Sequence, residues 1–339
     1  MLAVRTNHLL LRLSRYLLIL GLVCMTSTAH SFDLQGHRGA RGLSPENSMV
    51  GFSKALSIGV STIELDLAMT QDSKIVVMHN PRFEPEIARD ASGNWLTKSS
   101  PAIHSMTLDE VQTYDVGRLN PSSRYAQRFT DQQPVDGTRV PTLAAVFELV
   151  NQSGNREVGL NIEIKISPQE PKLTALPEPF VKAVLEVVHT YRMEQRVSIQ
   201  SFDWQALQVV QQLYPSIKTS YLTAAQPWLN NLQTDQPGKS PWLGGLDIDD
   251  FSGNTPRAIK SAGGDIWSPY HKEVTHESIA EAHQLKLLVN VWTVNEKKRM
   301  RELIKMGVDG IITDYPDRLG EVLKQLGMPV PLKTSIDNK

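Results

Sequence analysis

The sequence has one cysteine among 339 residues, and that cysteine, Cys24, lies in an apolar run near the N-terminus. A chain trimmed after that run would hold no thiol, which excludes disulfides, thiolate nucleophiles and cysteine-ligated metals. Excess charge is also missing: 35 Lys and Arg against 36 Asp and Glu give a formal net charge of −1. That balance lacks the basic footprint of a nucleic-acid-binding protein, so no nucleic-acid partner is expected. An anionic ligand would have to be held by local cations. A G-x-G-x-x-G helix opening is absent as well. "GHRGARG" (residues 36–42) carries glycines without that spacing, which weighs against an open doubly wound sheet.

The first residues read as an export signal. Arg5, Arg12 and Arg15 precede the apolar "YLLILGLVCM", and the small-residue exit "TSTAHS" follows. Residues 1–31 are expected to be a signal peptide cut before Phe32, giving a periplasmic or secreted protein with no stable membrane insertion. The apolar run is short for a membrane span, and Val23 before Cys24 fits a lipoprotein signal poorly.

From Leu34 onward, short β-branched runs alternate with longer amphipathic ones. "STIELDLAM", "KIVVMH", "GLNIEIKI", "RVSIQSF", "KTSYL", "DIWSP", "KLLVNVWTV" and "DGIITD" read as strands. Helical patterns between them include "PENSMVGFSKALSIG", "EPFVKAVLEVVHTYRM", "DWQALQVVQQLYP", "THESIAEAHQL" and "NEKKRMRELIKMG". Pro45 is expected in the first turn of its helix, with Asn295 as an N-cap and Gly307 as a stop. Sustained strand–helix alternation predicts an α/β fold, a TIM-type (β/α)8 barrel over residues 32–328. The aperiodic, Pro- and Ser-rich stretch at about 80–140 is expected to be a small inserted subdomain at the barrel mouth. Residues 329–339 are expected to be a loose tail.

Strand residues two apart share a face. Glu64 and Asp66 in "IELDL" therefore point together, as do Glu163 and Lys165 in "NIEIK", each set flanked by apolar residues on the other face. Both faces of a parallel barrel strand are covered, so these carboxylates need partners or a metal. If "IELDLAMT" and "KIVVMHN" fold back as a hairpin about Asp72, Asp66 faces Met78 or His79, and His79 joins the acidic pair. Glu64, Asp66 and Glu163 offer hard oxygen ligands with no accompanying zinc-type His pair, which favours one Ca2+ or Mg2+. His37 and His79 are left for proton transfer, and Arg38 and Lys165 for phosphate oxygens. Metal, imidazoles and fixed cations together suit phosphoryl transfer better than glycoside or peptide hydrolysis.

The chain resembles the glycerophosphodiester phosphodiesterase family in "GHRGARGLSPENS", "IELDLAMTQDSKIVVMHN", "NIEIK", "SIQSF", "VWTVN" and "IITDYP", which occur in the family's order. The resemblance implies a TIM-type barrel with a subdomain inserted after the second histidine. It also implies hydrolysis of small-molecule glycerophosphodiesters to sn-glycerol 3-phosphate and an alcohol through a cyclic phosphate. His37 and His79 would be the acid and base, and Glu64, Asp66 and Glu163 the metal ligands. Arg38, Glu46 and Lys165 would surround the phosphate, with Phe202 and Trp292 lining the glycerol or alcohol pocket. The chain departs from the family at Asn80, where an aspartate is usual. Phospholipase D-like action on lysolipids or sphingolipids, or an exported binding module without turnover, are the competing readings. Gly36 and Gly39 are expected to let substrate approach the backbone, and Glu46 could equally be a helix-start residue. Asp314 reads as either a pocket residue or a loop cap; Trp267 and Tyr270 end a strand where they could touch substrate, with a core position favoured for the tryptophan. His104, His271, His276 and His283 carry no expected chemistry.

Overall fold

The computed structural model describes residues 31–234 and 236–335. The expected signal peptide, apart from Ser31, lies outside the described residues. Among the described residues no helix is long and apolar enough to cross a membrane.

Eight parallel strands close on themselves. The ring runs β1 (Asp33–Gly36), β2 (Thr62–Met69), β4 (Gly159–Ile164), β5 (Val197–Ser201), β6 (Lys218–Thr223), β9 (Ile266–Pro269), β10 (Leu288–Val291) and β11 (Gly310–Thr313), and β11 pairs back onto β1. The two remaining hairpin elements are β3 (Ile75–Val77), antiparallel to β2, and the short pair β7 (Ala225–Gln226) and β8 (Leu229–Asn230). The helices that return the chain between barrel strands are α1 (Met49–Ile58), α3 (Leu143–Gln152), α4 (Pro177–Thr190), α5 (Trp204–Leu213), α6 (Thr255–Ser261), α7 (His276–Gln284) and α8 (Lys297–Met306), and α9 (Pro316–Gln325) follows the last strand. This is the (β/α)8 barrel that the alternation predicts. α3, α6 and α9 are not among the sequence-assigned helices; α6 has only seven residues and α3 directly follows aperiodic chain.

Helix ends differ from expectation at two places. α1 starts at Met49, not at Pro45, because Ser48 Oγ caps it by accepting from Gly51 N at 3.0 Å. Asn295 does not cap α8. Its side chain instead serves Asp314, accepting from Asp314 N at 3.0 Å and donating to Asp314 Oδ2 at 2.7 Å. Gly307 does end α8, at φ 95°.

Outward residues of the strands, such as Leu34, Ile63, Leu65, Leu67, Leu160, Ile162, Ile199 and Ile311, join the helices' inner faces in one buried core. The barrel interior is different. Asn161 Nδ2 donates to Gln35 Oε1 and Gln200 Oε1, both at 2.9 Å, and Gln200 Nε2 donates to Glu64 Oε1 at 2.9 Å. Where many such barrels stack branched aliphatics inside, this one has a polar ladder that leads upward to a carboxylate.

Between β3 and α3 the chain makes only short elements, among them α2 (Leu108–Val111), around a second small core of Val76, Met78, Phe83, Ile87, Ile103, Met106, Val111 and Val140. This is the stretch expected as an insertion. After α9 the described residues form no helix or strand, yet they are not loose. Thr334 N donates to Leu56 O at 2.9 Å, and Thr334 Oγ1 accepts from Asn155 at 3.0 Å.

Candidate active site

The β2–β4 register sets Asp66 beside Glu163 and Glu64 beside Asn161, so alternation delivers the three carboxylates to one level of the barrel. Ligand oxygens of Glu64, Asp66 and Glu163 all lie within 4.8 Å of one another, and all three residues are buried. The β2–β3 hairpin pairs Leu67 with Val77, and Met78 N donates to Asp66 O at 2.9 Å. Of the two expected registers, this is the one with Asp66 facing Met78. His79 still reaches the site, because its Nε2 lies 3.0 Å from Lys165 Nζ, which in turn lies 2.9 Å from Glu163 Oε1 and 3.8 Å from Asp66 Oδ1.

His37 enters from the end of β1. Its Nδ1 is 2.6 Å from Asp314 Oδ1, and its Nε2 points inward, 4.0 Å from Glu64 Oε2. The turn after β1 is very tight. Arg38 and Gly39 take φ of 49° and 85°, Gly39 N donates to Gly36 O at 3.1 Å, and Arg38 N donates to Glu64 Oε2 at 2.8 Å. A Cβ on Gly36 would stand 2.2 Å from Gly39 O, and one on Gly39 would stand 2.8 Å from the Gly51 carbonyl carbon. The two glycines therefore make room for backbone, not for substrate as the sequence suggested.

A cavity of about 840 Å³ opens above these groups. His37, Arg38, Glu46, Glu64, His79, Glu163, Lys165, Phe202 and Trp292 all line it, and Asp66 is buried beside Glu64 and Glu163 without lining it. Arg38 is less free than a phosphate fork would be. Its Nη1 donates to Glu46 Oε1 at 2.7 Å, and its Nε sits 3.2 Å from Asp66 Oδ2 without aligning for a hydrogen bond. Glu46 is not a helix-start residue. It also accepts from Tyr125, in the stretch between β3 and α3, which receives a 3.1 Å bond from Arg41.

Several residues here were not assigned from sequence. Arg41 grips Asp314 through Nε at 2.7 Å and Nη2 at 3.1 Å, and Asn47 Nδ2 donates to Asp66 Oδ2 at 2.8 Å. Asp314 is thus a pocket residue. The only sequence signal for Arg41 and Asn47 was membership of the "GHRGARGLSPENS" stretch. Trp228 and Tyr270 also line the cavity, as does His104, whereas Trp267 is core, its Nε1 donating to Thr223 Oγ1 at 2.9 Å. His271 packs beside Tyr270 at 4.9 Å between ring centroids, while His276 and His283 lie away from the cavity.

Electrostatics set the groups apart. Burial, then the neighbouring Asp66 and Glu163, push the Glu64 carboxyl well above the usual range. Burial likewise pushes Glu163 up to about 7, with Lys165 opposing. Burial works against charged Asp66 too, but His79, Arg38 and Lys165 outweigh it and hold that carboxyl well below the usual range. Burial and Arg41 push His37 down to about 4 despite Asp314, and burial with Arg38 and Lys165 holds His79 well below its ordinary value. In the site without substrate both imidazoles are therefore neutral around pH 7. Among the described residues, Asp66 Oδ1 is buried without a hydrogen-bond partner. Such an orphaned oxygen, beside two carboxyls that resist ionising together, fits a hard divalent cation.

The sequence matches the glycerophosphoryl diester phosphodiesterase family over residues 37–318. The chain belongs to that family. It is a phosphoric diester hydrolase that acts on glycerophosphodiesters. A glycerophosphodiester phosphodiesterase of Caldanaerobacter subterraneus is 29% identical over 86% of this chain and 97% of that protein. A crystal structure of a candidate glycerophosphoryl diester phosphodiesterase from Silicibacter pomeroyi superposes with a TM-score of 0.78 at 37% identity, covering 88% of this chain and 95% of that one. An Oleispira antarctica phosphodiesterase in complex with its product, sn-glycerol-3-phosphate, shares the fold at a TM-score of 0.62 and 19% identity, over 86% of this chain and 96% of that one.

Proposed function

We propose that the chain is an exported, metal-dependent enzyme that releases sn-glycerol 3-phosphate through a cyclic phosphate, with His37 and His79 as its proton carriers. The observation that carries this reading is the convergence of both imidazoles and Lys165 on a cavity lined by Glu64 and Glu163, with buried Asp66 within 4.8 Å of those two carboxylates. Glu64, Asp66 and Glu163 would hold one Ca2+ or Mg2+, which when bound supplies Lewis-acid stabilisation of the phosphate oxygens.

The chain's own residues do the rest. Lys165 and Arg38 place positive charge where the diester's oxygens gain negative charge. In each histidine Nδ1 faces an acceptor oxygen, of Asp314 or Asn80, both at 2.6 Å, which leaves Nε2 to exchange the proton. One Nε2 takes the proton of the glycerol 2-hydroxyl, whose oxygen attacks phosphorus and closes a five-membered ring. The other enters this step as the imidazolium, which the bound diester anion favours, and delivers its Nε2 proton to the departing alcohol oxygen as that oxygen's bond to phosphorus breaks. Water then opens the ring with the two roles exchanged, giving glycerol 3-phosphate.

A lysolipid as the diester is a second reading, favoured by the apolar wall of Met69, Ile87, Ile103, Ile166, Leu173 and Phe180. A coupled glycerol 3-phosphate assay over a diester panel, run with chelator and with Ca2+ or Mg2+ restored, tests the main proposal. His37→Ala and His79→Ala should each lower turnover ~10²–10⁴-fold while the metal still binds. Wild-type turnover in either variant removes that histidine from the mechanism. Choline release from lysophosphatidylcholine, whose other product is an acylated glycerol 3-phosphate, without choline release from glycerophosphocholine would replace the main reading with the second.

A further inference from the structure

We propose that Trp228, Tyr270 and Trp292, with Phe202 beside them, form a head-group site for a quaternary ammonium, so that the preferred diester is a choline ester. This rests on the hydrolase reading above and specifies its leaving alcohol.

Trp228 is the observation that starts the argument. It sits in the two-residue turn between β7 and β8, lines the catalytic cavity, and remains 59% exposed. A large ring held in water at a cavity mouth contributes nothing to a core, unlike buried Trp267. Nor is the turn left hanging. Ala225 N and Gln226 Nε2 donate to Glu273 Oε1 at 2.9 and 2.6 Å, and buried Asn231 ties the hairpin's base to Ala224 N at 2.9 Å and Leu222 O at 3.0 Å.

The rings meet at steep angles. Trp228 stands 5.3 Å from Tyr270 at 86° and 6.0 Å from Trp292 at 81°, while Tyr270 and Trp292 are 5.6 Å apart at 54°. Phe202 stands behind Trp292, 5.4 Å away at 86°, and has Lys165 Nζ 5.9 Å from its own ring centroid, so it braces the corner and leaves the ammonium to the other three rings. Planes so inclined resemble the corner of a box. Two of the strand ends that carry them are neighbours, since Tyr270 and Trp292 form a parallel bridge.

The chemistry of this corner selects among head groups. The Trp292 indole N–H is spent on Ser268 O at 2.8 Å, and the Gln226 amide on Glu273. Ethanolamine would bring three N–H donors that need acceptors once desolvated, and a polyol would bring several hydroxyls. A trimethylammonium group has no N–H, and aromatic rings attract it through their quadrupoles. Its charge also balances the phosphodiester anion held by Lys165 and Arg38.

The test measures kcat/KM on the metal-loaded full chain for glycerophosphocholine, glycerophosphoethanolamine and the neutral 3,3-dimethylbutyl isostere of choline. Choline should exceed its isostere by about 5- to 30-fold, and Trp228→Leu should bring that ratio towards unity while Trp228→Phe keeps most of it. Equal rates for choline and isostere, or a ratio untouched in Trp228→Leu, overturn the proposal; the former outcome would mark the corner as a site for apolar groups. Tryptophan fluorescence titrated with phosphocholine and with phosphoethanolamine, in the wild type and Trp228→Leu, separates the two readings. Selective phosphocholine binding without turnover would sink the hydrolase mechanism and leave the corner standing; turnover without any choline preference would do the reverse.

Discussion

His37 and Asp314, 277 positions apart in sequence, meet through Nδ1 and Oδ1 at 2.6 Å. Strand closure brings them there, because β1 and β11 pair with Gly36 beside Thr313 and each residue is the first beyond its strand. Asp314 is itself fixed by Arg41 and by Asn295. His37 is thus held in the tautomer that presents Nε2 to the cavity, and a carboxylate lies behind it to stabilise the imidazolium whenever it forms.

Asp314→Asn should therefore cut kcat more than it changes KM. An amide can accept from His37, but it can also turn its NH2 toward the ring and offer the wrong tautomer. The expected loss is about 10²-fold or more. Arg41 also loses its counter-charge while buried, which should lower the melting temperature. Steady-state kinetics over a pH series, alongside thermal unfolding, check both effects. An unchanged kcat with a lower melting temperature would make Asp314 a structural residue only.

Metal affinity should depend on pH through Glu163. With its carboxyl raised to about 7 by burial, the metal-free site retains a proton that an incoming cation must displace. Affinity should weaken about 10-fold or more per unit as pH falls below about 7, because Glu64, raised as well, holds a second displaceable proton. The sign for stability is opposite. The raised carboxyl favours the fold while protonated, so its contribution is complete below the unfolded value and is lost as pH rises through about 7. The metal-free protein should then be weakest where the cation binds best. Calorimetric titration with Ca2+ and Mg2+ between about pH 6 and 8, with melting temperatures with and without chelator, tests this. Affinity independent of pH would mean that the site holds no displaceable proton.

How far the sequence foretold this site depends on the kind of contact. Alternation along "IELDL" and "NIEIK" was enough to pair the carboxylates, because the two-residue period is a local rule. The hairpin about Asp72 carried His79 to them for the same reason. Asp314, Arg41 and Tyr125 could not be read that way, since they meet only when the barrel closes and the chain between β3 and α3 folds back against Arg41. Asn295 shows a competing rule at work, a good N-cap residue drawn off by a carboxylate in need of a donor. Gly36 and Gly39 show another, where space that looked like ligand space is filled by the chain itself.

Gly36→Ala follows from that packing. The added methyl would stand 2.2 Å from Gly39 O, a backbone atom that cannot swing aside. Relief would have to move the Arg38–Gly39 turn and, with it, the amide bound to Glu64. Overpacking of this kind costs about 1–3 kcal/mol, and the shifted turn should also displace His37. Thermal unfolding and glycerol 3-phosphate release should both fall. Full activity with an unchanged melting temperature would show that the turn is softer than its geometry.

Asn80 leads to a prediction of the opposite kind, a substitution that should alter chemistry and spare the fold. Its Oδ1 is 2.6 Å from His79 Nδ1, so it orients the ring as a carboxylate would but adds no negative charge. His79 meanwhile is held well below its ordinary value by burial, Arg38 and Lys165. Asn80→Asp should place an anion on the same side of the ring and favour the imidazolium, raising the histidine's pKa by about one unit or more. Where neutral His79 is the active form, the acid limb of the kcat/KM profile should move to higher pH by that amount. Rate profiles of both proteins across the acid range decide it: a displaced limb identifies His79 as the titrating group, and superimposable limbs exclude it.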